Sequence, residues 1–462
     1  MNTLVEDSIF SQRRAVRSLS IIVVGAGIGG LAIGLCMRKT GHDVLILEKR
    51  KEIAEVGAGI QLAPNASRIL RRFGVLDEIM KHATILERNS SRRWQDDEEL
   101  GSVALVPDIE KQFGAPLAVL HRADFQRILL NAAVECGCKV LEDHEVVDVD
   151  QNFLPTGSCR SRKLITPDRR IRVRSRGKDT WMSADLILAA DGMNSLVRRR
   201  MARTNGDADQ LGPRPESAYR FVLPIELIKH DEAVMGLLGK NQGMRYMGPG
   251  GHIMAYPLRK NTLYNVVLVH ETNSAKSEKI SWTAAAKMEE VLEHYRGWCP
   301  MVQRLISHAH DSEVLETPMN DMSALPTWVK GRIALAGDAC HYMLPYVAQG
   351  ASNSLEDAGV LAMAFTCTDE IELALELYQS VRKARSERIQ ASATNTGNTL
   401  HLPDGKEQRR RDESIRAASR GVGANPDQWN DKQAREFMWR VDVMAETIGR
   451  FESVARETDS KL

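Results

Sequence analysis

The 462-residue chain is 43% hydrophobic and carries 62 Lys and Arg against 61 Asp and Glu, a formal net charge of +1. That length leaves room for two joined domains and a large core, and the even charge balance gives no electrostatic case for a nucleic-acid partner or an acidic membrane surface. No apolar run approaches the roughly eighteen residues that span a bilayer; seven scattered cysteines suit a reducing, cytoplasmic setting better than a disulfide framework, and no Cys/His cluster has zinc spacing, so no metal is expected.

Residues 1–18 combine Arg13, Arg14 and Arg17 with Glu6 and Asp7 and have no apolar centre, so they are expected to be a flexible lead-in, with a weak organellar signal as the alternative, and not a secretory signal. Leu19 and the run 21–24 then read as a short buried parallel strand. Gly25, Gly27 and Gly30 follow at the spacing G-x-G-x-x-G. The first glycine permits a tight turn, the second lets backbone approach a pyrophosphate, and the third lets the next helix, about 28–39, pack on the strand. The free N–H groups at that helix start suit phosphates. A second strand, 44–47, ends in Glu48. That carboxylate is placed to accept hydrogen bonds from an adenosine ribose, which favours FAD or NAD over NADP.

In the loop 55–65, Gly57, Ala58 and Gly59 stand in succession. Small residues in a row suggest backbone lying against something flat or bulky, and a flavin would fit. A strand over 117–120 leads to Arg122 at the start of an amphipathic helix, where a guanidinium can reach a pyrophosphate with two hydrogen bonds. Residues 151–178 are rich in arginine, with Pro and Gly but almost no aromatics. They read as a solvated hairpin insertion, because a nucleic-acid patch would need a stacking platform. The strand 185–190 runs into Asp191-Gly192, at the carboxyl end where α/β sheets present ligand-binding groups.

From Ser217 the pattern changes to strands over 219–223, 236–238, 244–247, 251–257 and 263–269, which predict a mixed sheet laid across the first domain. A helix is expected over 282–295. The chain returns through a strand at 332–336 into Gly337-Asp338, and Gln349-Gly350-Ala351 opens a helix to about residue 365. A strand, a glycine, a carboxylate and a helix start thus recur as a second place for polar or anionic cofactor groups. Residues 401–424 read as a polar surface excursion, and 425–452 as amphipathic helix.

Three signatures therefore bracket a β-rich insertion: Gly25, Gly27 and Gly30 with Glu48; Asp191-Gly192; and Gly337-Asp338. Together with the 55–65 loop, His121-Arg122-Ala123-Asp124, Gly248-Pro249-Gly250-Gly251-His252 and Tyr256-Pro257, they resemble the class A, single-component FAD-dependent aromatic monooxygenases. Within that class the chain looks most like the salicylate hydroxylase-like fungal members. The resemblance covers about 19–364 and resumes around 425–443. It implies an α/β fold: a Rossmann-like FAD-binding domain over 19–216 that returns at 326–400, an inserted β-sheet substrate domain over 217–325, and C-terminal helices over 401–462. A bound FAD, NADH or NADPH as transient co-substrate, O₂ and a small aromatic substrate are implied with it; a homodimer is left open.

Carried over by position, Glu48 should bind the adenosine ribose, Arg122 should lie near the pyrophosphate, and Asp338 should contact the ribityl region. The backbone of Gly350 and Ala351 should face the isoalloxazine, with Asp191 and Gly59 completing the cofactor set. Ala348 stands where the family often has glycine. The implied reaction hydroxylates a phenolic, salicylate-like or polyketide-derived ring through a flavin C4a-hydroperoxide. Such a ring needs a partner for its phenolate or carboxylate, and Arg220, on the first strand of the second domain, is the first choice. Tyr246, His252 and Tyr256 are candidates to relay the phenol proton, and His341 is expected to border the flavin. Two other readings remain: the same fold oxidising or epoxidising a non-aromatic secondary-metabolite intermediate, and a non-catalytic flavin-binding protein. Ring position and the choice of NADH or NADPH are not legible.

Overall fold

The computed structural model describes residues 8–53, 58–150, 170–206, 208–238, 241–272, 284–310 and 312–460. Its central strand, Ser20–Val24, is flanked in parallel by Asp43–Leu47 and Leu186–Ala189. The full six-stranded order is Val329–Lys330, Ile333–Leu335, Leu186–Ala189, Ser20–Val24, Asp43–Leu47, Lys139–Leu141. Every pair is parallel except the edge strand Val329–Lys330. Residues 21–24 and 186–189 are all buried, as β-branched runs must be when helices cover a parallel sheet. The helices Ile28–Thr40 and Gly350–Ala364 pack on one another beside it. The first and third signatures are thereby brought together.

The second sheet has eight strands, in the order Ala284–Ala285, Leu315–Met322, Leu211–Pro224, Leu263–Glu271, Gly251–Leu258, Gln242–Gly248, Arg88–Arg93, Glu99–Ala104. Its last two strands come from before residue 217. Their polar sequences hide them: Arg88–Arg93 contains no apolar residue, and its buried Ser90 is satisfied by Glu99 at 2.9 Å. No helix among the described residues is long and apolar enough to cross a membrane.

Several expected elements differ. Residues 236–238, expected as a strand, close the helix Glu232–Leu238, because Asp231 caps it by accepting the Val234 N–H at 3.1 Å and a short apolar run cannot tell strand from helix. The helix expected over 282–295 spans only Met288–His294; residues 284–285 pair instead with Leu315–Met322, and 282–283 lie outside the described residues. The polar stretch 401–424 contains a helix, Lys406–Ser419, in which the buried Arg411 donates to the carbonyls of Thr399 and Leu400 at 3.2 and 3.1 Å. Of the arginine-rich stretch 151–178, expected as a solvated hairpin, 151–169 lie outside the described residues, and Arg170–Ser175 is the middle strand of a three-stranded sheet between Glu145–Val149 and Lys178–Ser183, with Ile171 and Val173 buried. The described part of the N-terminal lead-in is docked: Phe10 is buried against Phe73 with ring centroids 5.5 Å apart, and the Ala15 N–H donates to the Thr40 carbonyl at 2.8 Å.

Candidate active site

The turn after Ser20–Val24 separates the roles of its glycines. Gly25 has φ +97°, and a Cβ there would meet the Ala190 carbonyl oxygen at 2.5 Å. A Cβ on Gly30 would meet the Gly25 oxygen at 1.9 Å, whereas at Gly27 no atom lies within 4 Å of the Cβ position. Gly25 and Gly30 are thus required by the chain's own packing, and Gly27 faces open space that a ligand can fill. Glu48 closes the turn: its Oε2 accepts the Ala26 N–H at 2.9 Å and its Oε1 the Arg50 N–H at 2.9 Å. Each oxygen retains acceptor capacity for ribose hydroxyls.

Arg122 opens the helix Arg122–Glu135, with its own N–H tied to the Ala58 carbonyl at 2.9 Å. Its side chain keeps accessible surface, yet surrounding protein pushes the guanidinium pKa down, with Arg220 and Arg50 adding to the effect and Asp338 opposing it. Together these describe a cation on the floor of an open cleft. Asp338 follows the strand Ile333–Leu335; burial raises its carboxyl pKa while Arg122 and His341 pull it down. It takes no hydrogen bond among the described residues. An enclosed acceptor lacking a donor fits the hydroxyl groups of a ribityl chain.

Asp191 has a different first duty. Its Oδ2 accepts the Leu196 and Val197 N–H groups at 2.8 and 3.3 Å, capping the helix Leu196–Asn205. Its Oδ1 is buried without a partner, beside the Gly25 turn. Gly59 is small for a reason within the chain: a Cβ there would meet the Tyr256 ring at 2.6 Å and Asn265 at 2.8 Å. Its smallness accommodates the roof sheet, to which its N–H also donates through Asn265 Oδ1 at 2.7 Å. Gly57 lies outside the described residues.

On the return, Gly337 has φ +61°, and its N–H donates to Asp357 Oδ2 at 2.8 Å. The same oxygen lies 2.6 Å from His341 Nε2, and Oδ1 accepts Arg382 Nε at 2.9 Å. His341 is therefore a fully buried brace for the turn that presents Asp338. Cys340, His341 and Asp357 are close enough to share a metal ion, but the Arg382 guanidinium already occupies that charge position. Glu356 joins the brace, holding Arg385 at 2.8 Å and Asn65 at 2.7 Å. The helix Gly350–Ala364 begins immediately above. The first N–H groups of a helix have no intrahelical acceptor, and the buried Gln349 Nε2 and Ser352 Oγ beside them are also unpartnered. Gly350 and Ala351 thus start a positively polarised helix end suited to a polar ring edge. Ala348, just before it, is left-handed at φ +52°.

Register decides which roof residues face this cleft. Arg220 pairs with Val267, which pairs with Met254; Ala218 pairs with Val269, which pairs with His252. Directly opposed residues share a face, and Ala218, Val269 and Tyr256 pack with residues 343–347 of the flavin-side loop. Arg220, His252 and Tyr256 therefore line the cleft side. Tyr246 does not: it opposes Ile253 and is buried with Tyr219, Leu268 and Trp298 on the far face, its hydroxyl donating to Asp97 at 2.5 Å. This corrects its expected place in the reaction.

Residues not singled out from sequence complete the site. His401 meets His252 and Glu216 meets His401, and the pair Arg382 and Arg385 braces the return. A signal existed for the last two: they interrupt the apolar stripe of Leu375, Tyr378, Val381 and Ile389 on the buried face of Ile371–Leu400, where unpaired charge is not tolerated.

The profile of the FAD binding domain family matches residues 18–393. The FAD-dependent monooxygenase atnJ of Arthrinium sp is 35% identical over 413 residues, covering 88% of this chain and 91% of its own. The 3-hydroxybenzoate 6-hydroxylase 1 of Aquipseudomonas alcaligenes is 34% identical over 375 residues, 80% of this chain and 86% of its own. Among solved structures, a salicylate hydroxylase substrate complex superposes with a TM-score of 0.72 at 23% identity, covering 93% of this chain and 97% of that one.

Proposed function

The chain belongs to the FAD-binding-domain family of flavin-dependent monooxygenases, the class A type, and from that premise we propose that it uses NADH or NADPH and O₂ to hydroxylate a phenolic or salicylate-like ring. FAD, when bound, would supply the redox chemistry that the side chains lack. The residues that would hold it are Gly27, Glu48, Arg122, Asp338 and the backbone at Gly350 and Ala351.

The observation that carries the substrate reading is Arg220. Its guanidinium is partly exposed on the cleft face, among the fields of Tyr342, Tyr256 and Tyr346, and desolvation lowers its pKa. It makes no hydrogen bond or ion pair to a described residue. A guanidinium stays charged, and leaving an enclosed cation unpaired is costly. A carboxylate or phenolate docking on both of its N–H edges offsets that cost and favours the ionised ring. This anion preference speaks for a phenolic acid over a neutral isoprenoid. Met254 and Val267, in the same row, supply apolar wall that excludes water.

The test is the visible spectrum of purified protein, then NADH and NADPH oxidation and product formation across phenols and isoprenoids. Arg220→Ala is expected to keep its FAD absorbance while coupled hydroxylation falls by about two orders of magnitude, the size expected for losing a desolvated charge pair. Turnover at the wild-type rate in that variant would retire the assignment, and colourless protein that refuses added FAD would retire the whole reading.

A further inference from the structure

His252 is the cleft-side end of a hydrogen-bonded file that crosses the protein. Its Nδ1 lies 2.8 Å from His401 Nε2, and His401 Nδ1 lies 3.1 Å from Glu216 Oε1. Glu216 Oε2 accepts from Arg214 Nε at 2.8 Å and from the Tyr346 hydroxyl at 3.4 Å. Arg214 pairs onward with Asp321 at 3.3 Å, whose side chain is 50% exposed. Arg214 has no acceptor atom and only holds the carboxylate, so the proton-carrying part of the file ends at Glu216, whose side chain is 10% exposed to solvent. The inner end lies two strands across and two residues along from Arg220, roughly 12 Å at ordinary strand geometry, and His252 Nε2 has no hydrogen-bond partner among the described residues.

We propose that this file is the proton route of the substrate pocket: His252 takes the phenol proton, and His401 and Glu216 carry it to solvent. The proposal rests on the phenol-hydroxylase reading. The phenol proton adds to His252 Nε2; the Nδ1 proton of His252 passes to His401 Nε2; the Nδ1 proton of His401 passes to Glu216 Oε1 and on to water. One proton leaves the phenol, one reaches solvent, both rings end in the other tautomer, and no electrons move.

Each link needs a neutral ring with one donor and one acceptor nitrogen. Burial, with His401 and Arg245 adding, pushes the His252 pKa far down and keeps that ring neutral. Burial would raise Glu216, but bonds from His401 and Arg214 outweigh it and hold the carboxyl at about 2, so it remains an acceptor. Arg245, on the adjacent strand, is itself paired with Asp427 at 2.6 Å. A pair of histidines serving only as packing would not require a carboxylate behind the second ring and an open nitrogen on the first.

The experiment mixes FAD-loaded enzyme with 4-nitrophenol, 4-nitrocatechol or 2,4-dihydroxybenzoate in a stopped-flow instrument, in dilute buffer with a pH indicator. Phenolate absorbance and the released proton are followed together. His401→Gln and Glu216→Gln are expected to slow both signals about tenfold or more, within the usual range for a lost acid–base group, and to lower kcat with KM nearly unchanged and FAD absorbance retained. Added imidazole should restore the rate in His401→Ala. Wild-type proton release in His401→Gln, or a folded, FAD-loaded His401→Ala that imidazole leaves slow, overturns the proposal. If the wild type binds none of the three phenols, the phenol-hydroxylase reading itself fails, and this route with it.

Discussion

A Cβ on Gly30 would stand 1.9 Å from the carbonyl oxygen of Gly25, so the fingerprint turn and the first helix are packed backbone to backbone. Gly27, between them, has open space at the same position. One motif therefore contains two kinds of glycine, and substitution separates them. Gly30→Ala is expected to cost more than about 3 kcal/mol, beyond an ordinary overpacking penalty, and to yield little folded protein. Gly27→Ala should fold normally but lose FAD, because its methyl enters the space left for the pyrophosphate. Circular dichroism melts and the FAD-to-protein absorbance ratio read the two effects; retained FAD in Gly27→Ala would move the cofactor elsewhere.

Tyr246 sits on the far face of the roof, bonded to Asp97 at 2.5 Å. Tyr246→Phe is expected to lose about 1.5–3 kcal/mol of stability, the value of a hydrogen bond to a charged group, with turnover unchanged. A loss of turnover without a loss of stability would return this tyrosine to the reaction.

Ala348 holds φ +52° and ψ 42° immediately before the helix that starts at Gly350. An L-residue pays about 1–2 kcal/mol in that region, of which glycine's larger unfolded-state entropy gives back roughly 0.5–1 kcal/mol. Ala348→Gly should therefore raise the urea midpoint by a gain of about 0.5 kcal/mol, the small difference of those terms. Ala348→Val, with a branched Cβ at the same φ, should lower it.

Glu216 links the fold to acidity. Burial favours its protonated form, yet His401 and Arg214 bring the carboxyl from its ordinary 4.5 down to about 2. The folded value lies below the unfolded one, so the stabilisation is complete above about pH 4.5 and disappears as pH falls from there towards about 2. Glu216→Gln should be less stable than wild type at pH 6, with the gap narrowed by about half or more at pH 3 as the wild type loses its advantage. Urea unfolding at the two pH values checks this; a gap that does not change with pH would show that the carboxylate contributes nothing through its charge.

Much of the cofactor cleft was legible because its signals are local. The spacing of Gly25, Gly27 and Gly30, the acid at the end of the second strand, and the glycine and carboxylate before a helix start each express geometry between near neighbours. Arg220 was also within reach, since it stands one residue from the buried Tyr219 and Phe221 on an alternating strand. Tyr246 and His252 were not separable in this way. Both flank the turn at 248–251, both faces of that sheet are buried, and alternation alone does not say which face meets the cofactor.

The sequence by itself determined that an FAD-type turn begins this chain, that a second cofactor-facing turn recurs beyond a β-rich insertion, and that a helix starts at the second turn. Those features depend on bond geometry over a few residues. Only the tertiary structure decided that Gly59 is small for Tyr256, that Asp357 braces Gly337, and that His252, His401 and Glu216 stand in file. Such contacts join segments far apart in the chain, and the register of the roof sheet and its docking on the cofactor domain select them from many pairings the same residues would allow.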